Sequence, residues 1–250
     1  MRLNWQQATP VLATILAASL ASSCSAVDKN PASPIATSST TSAPSPSQTA
    51  KPLSALQLDH ALLTQSDVPE QFNIITGSTP EAAATPRKAA TASNPACQPI
   101  LDLAGLGGGS ATSPEADESF QDSAQSLAVG GTMLVSSTIA EAQQFSTSLS
   151  RALDACPSVS FQSQGKQVTC KITKLKAPNL GDESLAFKAI ATTGEIGPPT
   201  HDVDAFVRVG STIASFSIRD AGVTPKLPAD LTTLQIQKLK AVQKSVAGAS

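Results

Sequence analysis

The sequence predicts an α+β domain: an antiparallel β-sheet with helices packed on one face, preceded by an apolar leader and a disordered tether. Three observations carry this. Two long segments repeat apolar residues at helical spacing, from Ala142 to Cys156 and from Leu231 to Val246. Several alternating apolar runs are joined by turns too tight for the long crossovers that a parallel sheet requires. The first fifty residues share neither pattern.

Composition narrows the function classes. The chain has 250 residues, 40% of them hydrophobic but only 14% charged, so its polar surface rests on Ser, Thr, Gln and Asn. The net charge of −2 comes without a basic block, which removes the electrostatic footprint of a nucleic-acid binder. Tyr is absent and the single Trp is Trp5.

Residues 1–23 read as a signal peptide. Arg2 precedes a short apolar core, Val11 to Ala18, which falls short of the ~20 residues needed to span a bilayer. Leu20-Ala21-Ser22-Ser23-Cys24 resembles the bacterial lipobox, in which small residues precede a cysteine that is diacylated and becomes the new N-terminus. The usual Leu three residues before the Cys is replaced by Ala21, with Leu20 one place further back. Cys24 is therefore the expected lipid-attachment site, and the membrane the expected partner through that anchor. Two acyl chains are needed for stable anchoring, at ~0.8 kcal/mol per buried CH₂. Residues 24–54, rich in Ser, Thr, Pro and Ala, have too little apolar surface to offset the entropy of ordering. A flexible tether of that length spans roughly 30 Å.

The domain is expected over 55–250. Leu56, Leu58, Leu62 and Leu63 open it, and Phe72, Ile74 and Ile75 predict a short strand closed by Gly77. Residues 79–93 read as a loop. Asn94 and Pro95 supply an N-cap and a first helical residue for a helix with Cys97, Ile100, Leu101 and Ala104 on one face. The run Gly107-Gly108-Gly109 lacks the Gly-Lys-Ser/Thr of a phosphate loop and reads as an exit loop. Ser126–Ser136 predicts a strand. Thr138 and Glu141 form a capping box for the helix that ends at Cys156-Pro157. Strands follow at 159–163, 167–175 and 184–192. Strands 202–209 and 212–218 flank Gly210-Ser211 as a hairpin. There Val203, Ala205, Val207 and Val209 share one face, and Phe206 and Arg208 the other. Asp230 is the expected N-cap of a last helix.

Cys97, Cys156 and Cys170 remain in the domain. An exported chain favours a disulfide, and Cys97–Cys156 is preferred, because both lie on apolar helix faces, over Cys156–Cys170, which flanks a hairpin. His60 and His201 lie in unrelated segments without metal-ligand spacing, so no metal and no cofactor is expected.

Several motifs resemble the actinobacterial PknH-like extracellular sensor domains: Leu62-Leu63 through Val68-Pro69-Glu70-Gln71-Phe72, the Cys97 helix, the helix carrying Ala142 and Phe145 to Cys156, Leu180-Gly181-Asp182-Glu183-Ser184, and Val207-Arg208-Val209-Gly210. The resemblance covers about residues 55–247. It implies an α+β fold with a concave groove, disulfide bonding and an undefined ligand. With three domain cysteines the chain departs from a two-disulfide pattern, and it contains no kinase domain to receive a signal. Asp182, Glu183 and Arg208 are the candidate ligand contacts, set against a plainer reading of Gly181–Ser184 as a turn leading into a strand. No nucleophile with a base, and no paired carboxylates, can be placed, so an enzyme is not expected. Two functions follow: a sensor-like, membrane-anchored lipoprotein binding a small molecule in an apolar groove between sheet and helices, or a structural or protein-interaction lipoprotein of the cell envelope.

Overall fold

The computed structural model describes residues 51–76, 89–104, 113–125, 128–163, 165–192 and 198–248. The leader, Cys24, most of the tether and the glycine run 107–109 lie outside the described residues. Eight strands form one antiparallel sheet: β1 (Phe72–Thr76), β2 (Glu115–Asp122), β3 (Val129–Ser136), β4 (Ser158–Ser163), β5 (Lys166–Lys174), β6 (Glu183–Thr192), β7 (Thr200–Val209) and β8 (Thr212–Ala221). Their order is β1-β2-β3-β8-β7-β6-β5-β4. Four α-helices accompany them among the described residues: α1 (Ala55–Ala61), α2 (Gln98–Leu103), α3 (Ile139–Ala155) and α4 (Ala229–Gly248). No helix among them is long and apolar enough to cross a membrane.

The α+β class and the antiparallel sheet match the sequence expectation; the single helical face does not. Paired residues of an antiparallel ladder point to the same side. Ala205, Phe216, Thr132 and Glu118 therefore share one face through the registers of β7, β8, β3 and β2. On that face Leu58, Ile236 and Leu239 of α1 and α4 pack against Leu134, Val207, Ala214 and Phe216. Phe206, Phe187, Ile172 and Val159 point the other way, beneath Ile100 and Leu101 of α2 and Leu149 and Leu153 of α3. The helices are divided because β7 is covered on both sides, with every residue from Val203 to Val209 buried, Asp204 and Arg208 included. One helical layer would leave half of that surface in water.

Two elements were not expected. Helix α1 is short, but Ser54 and Gln57 close a capping box on it, at 3.3 Å and 2.8 Å. Strand β2 carries acidic residues at 115, 117, 118 and 122, a poor strand composition. It forms because β1 and β3 ladder it on both sides and because Phe120 is fully buried. The Phe120 ring lies across Gly130, where a Cβ would fall 2.1 Å from ring carbon Cζ. Phe72 meets the same ring edge-on, with centroids 6.5 Å apart.

Helix α3 has the expected capping box, Thr138 with Glu141. Asn94 accepts from the Ala96 amide as expected, although the first turn after it is a short 3-10 turn (Pro95–Cys97). Helix α4 begins at Ala229, so Asp230 lies inside the first turn instead of capping it. Cys97 and Cys156 form a disulfide that ties the start of α2 to the end of α3, and Cys170 is a buried free thiol. In the chain-entropy model a loop of this length contributes ~4 kcal/mol.

Irregular segments are held by glutamine carboxamides that each donate to one backbone carbonyl and accept from one amide. Gln65 bonds Phe72 O and Ile74 N, both at 2.8 Å, on the outer edge of β1. Gln98 bonds Ala90 O and Ala92 N, and Gln125 bonds Lys226 O and N. Gln235 of α4, fully buried, bonds Ala61 O at 2.7 Å and Leu63 N at 3.2 Å, fastening the end of α1. Replacing Gln235 by Leu should lower the unfolding free energy by about 2–4 kcal/mol in urea titrations, because two buried backbone groups lose their partners. The same change at exposed Gln237 on the same helix should cost under about 0.5 kcal/mol.

Candidate functional site

The structure brings Asp182, Glu183 and Arg208 together at the tip of the β7–β8 hairpin. Gly181 makes this possible. Its φ is +67°, and a Cβ there would lie 2.4 Å from Arg208 O, so only glycine passes so close to β7. The next amide, Asp182 N–H, donates to Arg208 O at 2.8 Å. Asp182 Oδ2 accepts from Gly210 N at 2.7 Å and from Arg208 Nη1 at 3.1 Å. Arg208 Nη1 also donates to Gly210 O, and Nη2 lies 3.2 Å from Glu183 Oε1. The Arg208 side chain is only 8% exposed, and its Nε–H has no partner. Burial works against the ionised Glu183, but hydrogen bonds from Arg208 and Ser146 and the Arg208 charge outweigh it and hold the carboxyl below its ordinary range.

This geometry separates the three candidates. Asp182 and Arg208 are spent on each other and on the hairpin backbone. Glu183 reaches further, into an open cleft of about 500 Å³ between α3 and β6. Helix α3 lines the cleft with Ser146, Thr147, Ser150 and Arg151, and β6 adds Ser184. Ser146 and Ser150, and likewise Thr147 and Arg151, stand four residues apart, which places each pair along one side of the helix. That spacing was legible beside the apolar stripe of α3, but small hydroxyls are too common in this chain to stand out. Six of the cleft's seven lining residues carry polar groups, and Leu185 of β6 adds apolar surface. Phe145 of α3 and Phe206 of β7 meet with ring centroids 5.8 Å apart and join the helix to the sheet.

A second cleft, also about 500 Å³, opens beside the start of α4 and includes Asp122, Gln125, Thr224 and Lys226. Its polar groups largely serve one another: Asp122 accepts from Ala124 N and Gln125 Nε2, and Gln125 holds Lys226.

No family model matches the chain, and no curated protein matches it. Two solved structures are similar to it in fold. One is the extracellular domain of PknH from Mycobacterium tuberculosis, at 12% identity and a TM-score of 0.47, covering 78% of this chain and 100% of that one. The other is an uncharacterized protein from Mycobacterium smegmatis, the Rv0999 ortholog, at 12% identity and a TM-score of 0.39, covering 75% of this chain and 96% of that one. The first neighbour is of the kind that the sequence motifs resemble.

Other titratable groups are dispersed. Burial pushes Glu118 up to about 8, and burial with the negative charge of Asp202 pushes Asp204 up to about 8. Perturbed carboxyls of this kind mark acid–base sites when they share a cleft. These two lie on opposite faces of the sheet, and neither lines the two clefts described. His201 bonds Thr224 Oγ1 at 2.8 Å, while His60 is exposed on α1. Burial raises the Cys170 thiol to about 11, which keeps it unreactive. No group of three potential metal ligands is found among the described residues.

Two predictions follow from these contacts. Arg208→Met keeps the buried stem and removes the cation. Because Asp182 and Glu183 are partly exposed, the loss should be limited to about 1–2 kcal/mol in urea unfolding. Asp204 and Glu118 bind their protons more tightly folded than unfolded. Between the ordinary carboxylate range and pH 8 the folded state therefore carries more protons, and stability falls as pH rises. Thermal melts should give a Tm several degrees higher at pH 5 than at pH 8. Asp204→Asn should flatten that difference; an unchanged slope would mean that Asp204 is ionised throughout. Asp67, held at about 2 chiefly by its hydrogen bond from Lys238, adds stability that disappears only below its ordinary 3.8.

Proposed function

We propose that the chain is an extracytoplasmic lipoprotein, cut before Cys24 and held at the membrane by acyl chains on that sulfur. Its folded domain binds a small polar ligand in the α3–β6 cleft. The anchor rests on the lipobox-like residues 20–24 and the short apolar leader. The ligand site rests on one observation: hydroxyls of Ser146, Thr147, Ser150 and Ser184 converge with Glu183 and Arg151 around one open cleft. Small-molecule sites use a few placed polar groups in a concavity to fix orientation. The reading is of a binding domain, without catalysis, cofactor or nucleic acid.

A second reading, docking of an envelope protein, is favoured by a different surface. Ile75 and Val129 are exposed, and Met133 and Val135 half-buried, on the side of β1–β3 opposite α1. The two are told apart by native mass spectrometry of the protein purified from its own host and delipidated. Ligand binding predicts an added small-molecule mass that is lost in Ser150→Trp, which fills the cleft. A bare mass in the wild type would overturn it. The anchor is checked separately by metabolic fatty-acid labelling, expected in the wild type and lost in Cys24→Ala.

A further inference from the structure

On the face that carries α1 and α4, three strands are left without a helix. Helix α1 lies over β2 and β3, and α4 over β7. Among the described residues no helix covers the same side of β4, β5 and β6. The registers place two lysines there. Lys188 of β6 pairs with Val203 and Thr173, and Lys171 of β5 stands level with Ile190 and His201. Lys176 follows β5 in the segment whose Ala177 and Leu180 pack against the α1–α4 core. Helix α4 adds Lys240 and Lys244, one turn apart. Gln235 and Lys238 of that helix reach toward α1, and Lys240 is turned about 200° from Lys238, so the two later lysines border the open side. Among the described residues none of these five lysines has a carboxylate partner. Strands β4, β5 and β6 place no acid on this side. In the row that starts at Lys171, an acid appears only at Asp220 of β8, beyond Ile190 and His201.

These cations are spread out and do not converge on a pocket. Lys171 is level with His201 near the start of β7, and Lys244 adjoins Gln243, which reaches Val209 O at its end, so the lysines extend over roughly 25 Å. Exposed Thr173 and Leu175 lie between them on β5 and just after it. A broad positive face of this kind matches a plane of negative charge better than it matches one small anion. The chain also enters the domain at this edge. Leu53 N donates to Ser136 Oγ at 2.9 Å, Ser136 Oγ and Thr212 Oγ1 are 3.2 Å apart, and Gln243 Nε2 donates to Thr212 Oγ1 at 3.2 Å. This relay fixes the start of the domain beside the C-terminal half of α4, next to Lys244. We propose that the lysine face of β5, β6 and α4 rests on the anionic lipid headgroups of the membrane to which the chain is tethered. The proposal relies on the anchor reading above for bringing the domain to the bilayer, while the contact itself is electrostatic. With this face down, the α3–β6 cleft on the other side of the sheet points away from the membrane.

Lysine acylation rates, read by peptide mass spectrometry, test this on protein extracted from its host membrane with Cys24 as the cell leaves it. The protein is placed on phosphatidylcholine vesicles and on vesicles rich in phosphatidylglycerol. Lys171, Lys176, Lys188, Lys240 and Lys244 should react about fivefold more slowly on the anionic vesicles at about 0.1 M salt, and the difference should vanish near 1 M, where the Debye length is ~3 Å. Lys174, paired with Asp154 on the other side of β5, and Lys226, held by Gln125, should keep their rates. The triple variant Lys171→Gln, Lys240→Gln, Lys244→Gln changes exposed residues, and in it Lys176 and Lys188 should lose their protection. Equal rates on the two kinds of vesicle would overturn the proposal, as would equal slowing of Lys174 and Lys226. Protection by soluble polyphosphate but not by vesicles would overturn it too, in favour of an anionic polymer. The wild-type rates decide the matter even if the variant does not fold. Failure of the anchor is read separately, as protein that does not float with phosphatidylcholine vesicles; the anionic vesicles still test the lysine face in that case.

Discussion

A backbone amide or carbonyl taken out of water must find a partner, and in this chain glutamine supplies it where the ladder and the helices end. The sheet satisfies its own backbone over eight strands, but segments entering and leaving it have no neighbouring strand. Gln65 stands in for a ninth strand along part of β1, so an edge that could recruit another chain is occupied from within. Gln98 and Gln125 do the same for segments packed beside the disulfide and the start of α4. Gln235 does it in the interior, where α1 ends. A carboxamide suits the task because it presents a donor and an acceptor together and carries no charge to desolvate. That is how a chain with 14% charged residues holds irregular backbone against a two-sided core.

Legibility of this architecture in the sequence depended on whether local signals agreed with the tertiary outcome. Helix α3 was legible because cap, apolar stripe and terminal proline agree. The β7–β8 hairpin was legible because alternation and a glycine turn agree. The Cys97–Cys156 pairing was preferred correctly because both cysteines sit on apolar faces. Strand β2 was not legible, since its acidic residues argue against a strand until β1 and β3 are in place. Helix α1 was missed for want of length, although Ser54 and Gln57 signalled its start. The two-sided helical cover follows from β7, which is buried on both faces; the expectation of one helical face came from the antiparallel architecture and did not weigh the second face of this strand.

The candidate site was legible to a similar depth. Asp182, Glu183 and Arg208 do meet, yet two of the three are absorbed by the fold. The plainer reading of Gly181–Ser184 as a turn holds for Asp182, which accepts from the hairpin backbone as well as from Arg208. Only Glu183 is left facing the cleft. The residues across from it, Ser146 to Arg151, gave no signal of their own, because a serine on a helix surface is ordinary until a second element closes a concavity over it.

Each face of the sheet buries polar atoms without partners, Asp204 Oδ2 and Arg208 Nε on the α3 side and the Glu118 carboxyl and Thr132 hydroxyl on the other, so the two faces differ in how they are fastened. Around the α3–β6 cleft, α3 is fixed by its capping box at one end and by the disulfide at the other, and β6 is clamped to the hairpin tip through Asp182 and Arg208. A wall held at both ends has little conformational freedom left to lose. Across the sheet, the end of α1 and the turn after it are held by two side chains of α4, Gln235 on Ala61 O and Leu63 N and Lys238 on Leu62 O and Asp67. One side of the sheet is thus tied by a helix cap, a disulfide and a buried ion pair, and the other by polar side chains reaching from a single helix to backbone groups.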